Sequence, residues 1–137
     1  MTTPVHLDWR YLGLVAIGGT AGTGTRQIIA TSVPPVAGVP LAIVLINILG
    51  AFLLGTLLEQ LSSRDDRGRY RAVRLGAGSG FLGGFTTYSA LATDTVLLAG
   101  TPAVAAAYAV GTLVLGAAAT WAGMLLVIAH RRGRSRA

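Results

Sequence analysis

The segment LGAGSGFLGGFTTYSALATDTVLL, residues 75–98, decides how this chain folds. It is long and apolar enough for a membrane-spanning helix, which needs about 20 mostly apolar residues. Five glycines nevertheless fall between Gly76 and Gly84, and two threonines follow at positions 86–87. Glycine is a poor helix former, so the segment predicts a transmembrane helix broken near Gly83–Thr87. A break at membrane depth frees carbonyl groups, which protein, water or an ion must satisfy.

The rest of the chain has the composition of a membrane protein. Of its 137 residues 53% are apolar and 12% are charged, unlike a typical soluble domain. Four predicted spans cover residues 11–30, 40–58, 75–98 and 103–129. We therefore predict an all-α integral membrane protein with four transmembrane helices, forming a single domain over residues 1–137.

The arginines are distributed unevenly along the chain. Ten of them lie before the first span, between the second and third spans, or after the fourth, whereas the loops 31–39 and 99–102 contain none. Positive charge is retained on the cytoplasmic side of membranes, so both termini are predicted to be cytoplasmic in a bacterial-type plasma (inner) membrane. The basic tail 130–136 needs no partner beyond anionic lipid, and no nucleic acid is expected.

Two features argue against a cleaved signal peptide and against enzymatic chemistry. Residues 1–9 contain Asp8 and no Lys or Arg, so the first span is expected to be retained and not to serve as a cleaved signal peptide. The chain has no cysteine, and neither His6 nor His130 lies in a predicted span. Because no set of catalytic side chains can be assembled, we predict that the protein is not an enzyme.

Three motifs point to one family. GFLGGFTTYS at 80–89 resembles the signature of the Fluc fluoride channels, also called CrcB proteins, where a Gly-Gly-x-Thr-Thr-aromatic-Ser string occupies a break in the third helix. GGTAGTGTR at 18–26 and NILG at 47–50 resemble the family's motifs in the first and second helices. The motifs agree in order and spacing over nearly the whole chain.

The resemblance implies an anion pathway. It assigns that pathway to Asn47, Thr87, Tyr88, Tyr108 and Thr112. Fluoride is small and strongly hydrated, so its water must be replaced by donors such as the Asn47 amide and by the positive edge of an aromatic ring. From the residues alone, Asn47 could instead make a helix–helix hydrogen bond.

Several positions have an open alternative or depart from the family pattern. Arg26 is placed at the vestibule by the resemblance, although an interfacial anchor is the open alternative. Leu91 stands where a second phenylalanine is expected, and Gly116 replaces a hydroxyl residue on the fourth span. Asp94 matches an acidic position, where repulsion argues against direct contact with an anion.

The resemblance also implies an assembly: an antiparallel dimer with two pores and one central Na⁺. This structural, non-transported ion would bind backbone carbonyls, here assigned to Gly83 and Thr86. Insertion of one chain in both orientations requires similar positive charge on the two sides of the membrane. Here ten arginines lie on the side of the termini and none lie in the loops of the other side. We therefore expect pairing with an oppositely oriented homologous subunit, with a homodimer as the alternative.

Two other functions remain open at this point. A small multidrug or cation exporter also has four short spans, but it needs an acid within the membrane, for which Asp94 is a weak candidate. A non-conducting structural subunit of a membrane complex would also accommodate the small-residue faces and basic termini. The resemblance favours a fluoride-specific channel subunit that exports F⁻ passively from the cytoplasm.

Overall fold

The computed structural model describes residues 8–134 and contains five helical elements. They are α1 (Trp9–Ser32), α2 (Leu41–Ser62), α3 (Gly68–Val73, Arg74–Leu82 and Gly83–Phe85 in succession), α4 (Tyr88–Leu97) and α5 (Pro102–Arg134). Within this range the only β contact is an isolated bridge between Val36 and Val39, which closes the α1–α2 loop. The predicted all-α class is confirmed.

Most helix ends lie beyond the predicted spans because apolarity does not determine where a helix ends. Asp8 precedes α1 and accepts a hydrogen bond from the Arg10 N–H at 3.1 Å, so a cap starts this helix. Pro102 occupies the first position of α5, where its missing N–H costs nothing. The element that carries the third predicted span begins at Gly68, within the charged loop.

Two helices of the described range, α2 and α5, are long and apolar enough to cross a membrane by length and composition. Glycine and threonine lower the mean hydropathy of α1, and the third predicted span is divided between α3 and α4. These two helices agree with an all-α membrane protein. The full four-span topology stays a prediction.

The third predicted span is irregular, as its glycines indicated. Arg74–Leu82 forms a π-helix, a rare and wide helical form that occurs often at functional sites. The element ends at Phe85, and the backbone is extended at Thr86 (φ −74°, ψ 154°) and Thr87 (φ −149°, ψ 126°) before α4 begins. The predicted break near Gly83–Thr87 is therefore confirmed.

Glycines allow the helices to approach closely. A Cβ atom added to Gly22 of α1 would overlap the carbonyl oxygen of Phe81 on α3, and one added to Gly55 of α2 would overlap that of Thr120 on α5. Glycines of α1 and α2 thus lie at helix–helix contacts. Gly116 differs, because no atom lies within 4 Å of the position its Cβ would take.

The buried core lies around the break. It consists of Ile43, Ile46, Phe85, Leu91 and Tyr108. These side chains come from α2, the end of α3, α4 and α5, so the two halves of the broken element are packed against the neighbouring helices. The core therefore determines the positions of both helix ends that meet at the break.

Candidate functional site

The Asn47 side chain closes the break from the side of α2. Its Nδ2 donates to the Thr87 carbonyl oxygen at 3.0 Å, and its Oδ1 accepts from the Thr87 N–H at 2.8 Å. In a continuous α-helix the Thr87 N–H would instead bond to the carbonyl of Gly83. Asn47 therefore makes the inter-element hydrogen bond that was the alternative reading of this residue. Because its Oδ1 accepts the Thr87 N–H, the Gly83 carbonyl lacks its helical donor.

Neighbouring carbonyl groups have partners from the protein. The Leu82 carbonyl accepts from the Thr86 N–H at 3.0 Å and from the Thr86 hydroxyl at 2.9 Å. The Gly84 carbonyl accepts from the Thr23 hydroxyl of α1 at 3.3 Å. Gly83 is an exposed residue, and in residues 8–134 no hydrogen bond takes the place of the missing Thr87 N–H at its carbonyl.

A cleft of about 330 Å³ opens beside the break. It brings together residues that are far apart in sequence: Asn47, Ala51 and Leu54 from α2; Thr86, Thr87, Tyr88 and Leu91 from the break and α4; and Thr112, Leu113, Gly116, Ala117 and Thr120 from α5. Four of the five predicted pathway residues line it, together with Thr86. Tyr88 borders the cleft with 76% of its surface exposed.

The hydroxyl groups of the cleft are mostly bonded to nearby groups. Thr87 Oγ1 accepts from the Ala90 N–H at 3.1 Å, which caps α4, and lies 3.2 Å from the Ser89 hydroxyl. Thr112 Oγ1 donates to the Tyr108 carbonyl at 2.6 Å. The groups best suited to an anion are then the second N–H of the Asn47 amide and the positive N-terminal end of α4.

Tyr108 lies outside this cleft. It is buried, and its hydroxyl donates to the Asp94 carboxylate at 2.9 Å. Residues four apart on a helix differ by about 40° in direction, so Tyr108 faces α4 while Thr112 and Gly116 face the cleft. The bond also engages the carboxylate that a cation exporter would require.

Arg26 lies at a second cavity, of about 260 Å³. Its lining includes Asp94, Ala90 and Pro40. The Nε atom of Arg26 is buried without a hydrogen-bond partner, and within residues 8–134 no carboxylate oxygen lies within 4.0 Å of its guanidinium group. Arg26 thus places a positive charge without an ion-pair partner beside this cavity, which Asp94 also lines.

Sequence reasoning missed two polar residues of the site. Ser89 contacts the Thr87 hydroxyl, and Thr120 lines the cleft. A signal existed for Ser89, because it ends the motif at 80–89, two residues after Thr87. No local pattern identifies Thr120, since its position depends on how α5 packs against α2.

Comparison with known proteins gives a consistent result. The family model described as "CrcB-like protein, Camphor Resistance (CrcB)" matches residues 13–124. A Leifsonia xyli protein named "Fluoride-specific ion channel FluC 2" is 47% identical over 96% of this chain and 94% of its own length. Proteins named "Fluoride-specific ion channel FluC" from Methanopyrus kandleri and Deinococcus radiodurans are each 40% identical, over 88% and 86% of this chain and 91% and 93% of their own lengths.

Proposed function

The chain belongs to the CrcB family, and from this premise we propose that it is one subunit of a fluoride-specific channel that lets F⁻ leave the cytoplasm passively. The observation that carries the proposal is the meeting of three motifs at the break. Thr23 from the first motif bonds to Gly84, and Asn47 from the second bonds to Thr87, both within the third. The protein is accordingly a membrane-embedded channel subunit and not an enzyme.

The chemistry of the cleft suits a small dehydrated anion. A pore that removes the water shell of F⁻ must supply N–H donors and other positive groups in its place. Asn47 supplies an amide, α4 presents its N-terminal end, and the Tyr88 ring can turn its positive edge toward the ion. Arg26, with no carboxylate partner, would raise the local concentration of anions at its end of the path.

We further propose that Gly83 and Thr86 hold a structural Na⁺ through their backbone carbonyls. The donor set fits, because Na⁺ is a hard cation and prefers oxygen ligands. Asn47 takes the N–H that would otherwise occupy the Gly83 carbonyl, and Gly83 is an exposed residue that a second subunit can approach. A bound cation would neutralise the partial negative charge of carbonyls that two broken helices bring together.

We propose an antiparallel dimer of four-span subunits, with both termini of this chain in the cytoplasm. Tyr88 is largely uncovered and the cleft is open on one side, so a partner would complete the pathway. With ten arginines on one side of the predicted spans and none in the loops of the other, a single orientation is favoured. The partner would then be an oppositely oriented homologous subunit. A homodimer is the alternative assembly.

Fluoride efflux from liposomes, measured with a fluoride electrode, tests the proposal. The chain alone, the chain with a homologous subunit, and the same two samples carrying Asn47→Ala are compared. Efflux only with the homologue, reduced by the substitution, would support the paired channel. Efflux from the chain alone, as a stable antiparallel homodimer, would overturn the pairing with a homologue but support the fluoride channel. No efflux from any sample would contradict the channel proposal.

A further inference from the structure

A third cavity, of about 700 Å³, lies at the end of the bundle where α2 ends and α3 begins. We call this the arginine-rich end. Five basic side chains from separate segments line the cavity: Arg64 from the α2–α3 loop, Arg69 from α3, and His130, Arg131 and Arg134 from α5. Retention of positive charge on one side of a membrane does not require that these side chains converge on one space.

Three of the arginines have no carboxylate partner. Within residues 8–134, no carboxylate oxygen lies within 4.0 Å of Arg64, Arg69 or Arg134. The loop carboxylate Asp66 is 3.3 Å from both Arg71 and Arg74, which do not line the cavity. The charge facing the cavity is therefore largely uncompensated.

Arg131 has a different, structural role. It donates to the carbonyl groups of Glu59 and Gln60 at 2.7 and 2.9 Å, and it pairs with the Glu59 carboxylate at 3.3 Å. These contacts satisfy the last carbonyls of α2, which lack helical donors. Arg131 thus joins α5 to α2 beside the cavity that it lines.

Tyr70 holds two of the unpaired arginines close together. The guanidinium carbons of Arg64 and Arg69 lie 5.4 and 4.7 Å from the centre of the Tyr70 ring, and Arg69 also donates to the Tyr70 hydroxyl at 2.8 Å. Two like charges on one ring repel each other, and a bound anion would remove that repulsion. Guanidinium groups bind phosphate oxygens especially well because their N–H groups form a planar fork.

The lining of the cavity also contains apolar side chains. It includes Leu61 and Val127, which are buried, and Leu126, which is 56% exposed. A cavity for a single fluoride ion would need neither this volume nor an apolar lining. A cavity lined by both cationic and apolar side chains matches a phospholipid whose phosphate and acyl chain contact the protein together.

We propose that this cavity binds the headgroup of an anionic phospholipid, with Arg64, Arg69 and Arg134 around its phosphate and an acyl chain along Leu126. The site lies where the helices end, which is the depth of the headgroups in a bilayer. The inference goes beyond fluoride conduction and does not require either orientation of the chain. It concerns binding only, so it is tested without measuring conduction.

Native mass spectrometry of the purified full chain in detergent tests the site. The chain is mixed with phosphatidylglycerol and phosphatidylcholine of identical acyl chains, and the bound copies of each lipid are compared. The unmodified chain is expected to prefer phosphatidylglycerol. Arg64→Gln with Arg69→Gln should weaken this preference by about 10- to 30-fold, since each arginine near an anionic lipid contributes roughly a factor of five.

The matched control is Arg10→Gln with Arg67→Gln. This double variant removes the same amount of charge as the first. Because both residues are exposed and do not line the cavity, the lipid preference should be retained. Equal losses in both double variants would overturn the proposal, because net charge alone would then explain the preference. Binding of inorganic phosphate to the same arginines without a preference for phosphatidylglycerol would also overturn it. If the Arg64/Arg69 variant fails to fold, Arg134→Gln compared with Arg10→Gln makes the same distinction.

Discussion

At the scale of single residues, the contact between Asn47 and Thr87 connects structure with proposed function. One amide makes both hydrogen bonds to the Thr87 peptide group, at 3.0 and 2.8 Å. The same side chain lines the cleft, where its second N–H can face an anion. Asn47 therefore holds the broken backbone in place and offers a donor at the point where the helix is interrupted.

Asn47→Ala should reduce both fluoride efflux and stability. The Thr87 N–H and carbonyl would lose their partners, and each unsatisfied buried group costs about 1–3 kcal/mol. Thermal unfolding in detergent and electrode-measured efflux from liposomes would be compared with the unmodified protein. A variant with unchanged efflux and an unchanged unfolding temperature would show that Asn47 has neither role.

Tyr88 allows the ring and the hydroxyl group to be separated. Tyr88→Phe keeps the positive ring edge, so efflux should stay close to that of the unmodified chain. Tyr88→Leu keeps much of the volume without a ring, and efflux should fall by up to about tenfold, because aromatic edge contacts contribute about 0.5–1.5 kcal/mol. If both variants lose efflux equally, the hydroxyl group and not the ring recognises the anion.

At the scale of helical elements, α1 and α3 fit together because of glycine. Gly22 faces the Phe81 carbonyl, with no room for a Cβ, whereas Gly24 on the same helix has no atom within 4 Å of that position. Thr23 lies between them and bonds to Gly84 beside the break. The α1–α3 contact thus supports the irregular backbone from the side opposite the cleft.

Gly22→Ala should destabilise the protein, while Gly24→Ala should not. The first substitution overpacks a close helix contact, which typically costs about 1–3 kcal/mol. The second replaces glycine in open space and should be neutral or stabilising by up to about 1 kcal/mol, since alanine is the better helix former. Thermal unfolding of both variants in detergent checks the difference, and equal shifts would contradict the close contact.

The start of α4 depends on the Thr87 cap. Thr87→Val removes the oxygen that accepts from the Ala90 N–H but fits the extended backbone at this position (φ −149°, ψ 126°), so about 1 kcal/mol of stability should be lost. Thr87→Ser retains the oxygen and should retain most of the stability. Unfolding temperatures of the two variants check this, and equal losses would show that the cap bond contributes little.

At the scale of the whole molecule, the surface is left incomplete at two places. The cleft beside the break is open with Tyr88 exposed, and the cavity at the arginine-rich end contains cations without carboxylate partners. The first opening fits a second protein subunit, and the second fits lipid. Both proposals depend on a bilayer, and the first also depends on which way the chain crosses it.

Single orientation can be tested with introduced cysteines, because the chain has none of its own. Ser63→Cys lies in the arginine-rich loop and Ala99→Cys in a loop without arginine, and both positions are exposed. In intact cells, a membrane-impermeant maleimide should label Cys at 99 and spare Cys at 63 until the cells are opened. Labelling of both positions in intact cells would indicate insertion in both orientations and would favour a homodimer.

Much of the fold followed from local sequence. Helix formation, the position of the break near Gly83–Thr87 and the charge bias depend on composition and on neighbouring residues, because glycine and threonine affect the backbone wherever they occur. The motif at 80–89 likewise identified the interrupted segment, and the family match at residues 13–124 agrees with it. These features require no knowledge of how the helices pack.

Tertiary packing decided what each polar group contacts. Helical spacing placed Tyr108 with Thr112, yet packing of α4 on α5 turned Tyr108 to Asp94 and left Thr112 at the cleft. The pairing of Asn47 with Thr87, 40 residues apart, and the convergence of Arg64, Arg69 and Arg134 also depend on which helices are neighbours. Sequence patterns describe a residue's position on its own helix, whereas its partner is determined by the rotation and contacts of another helix.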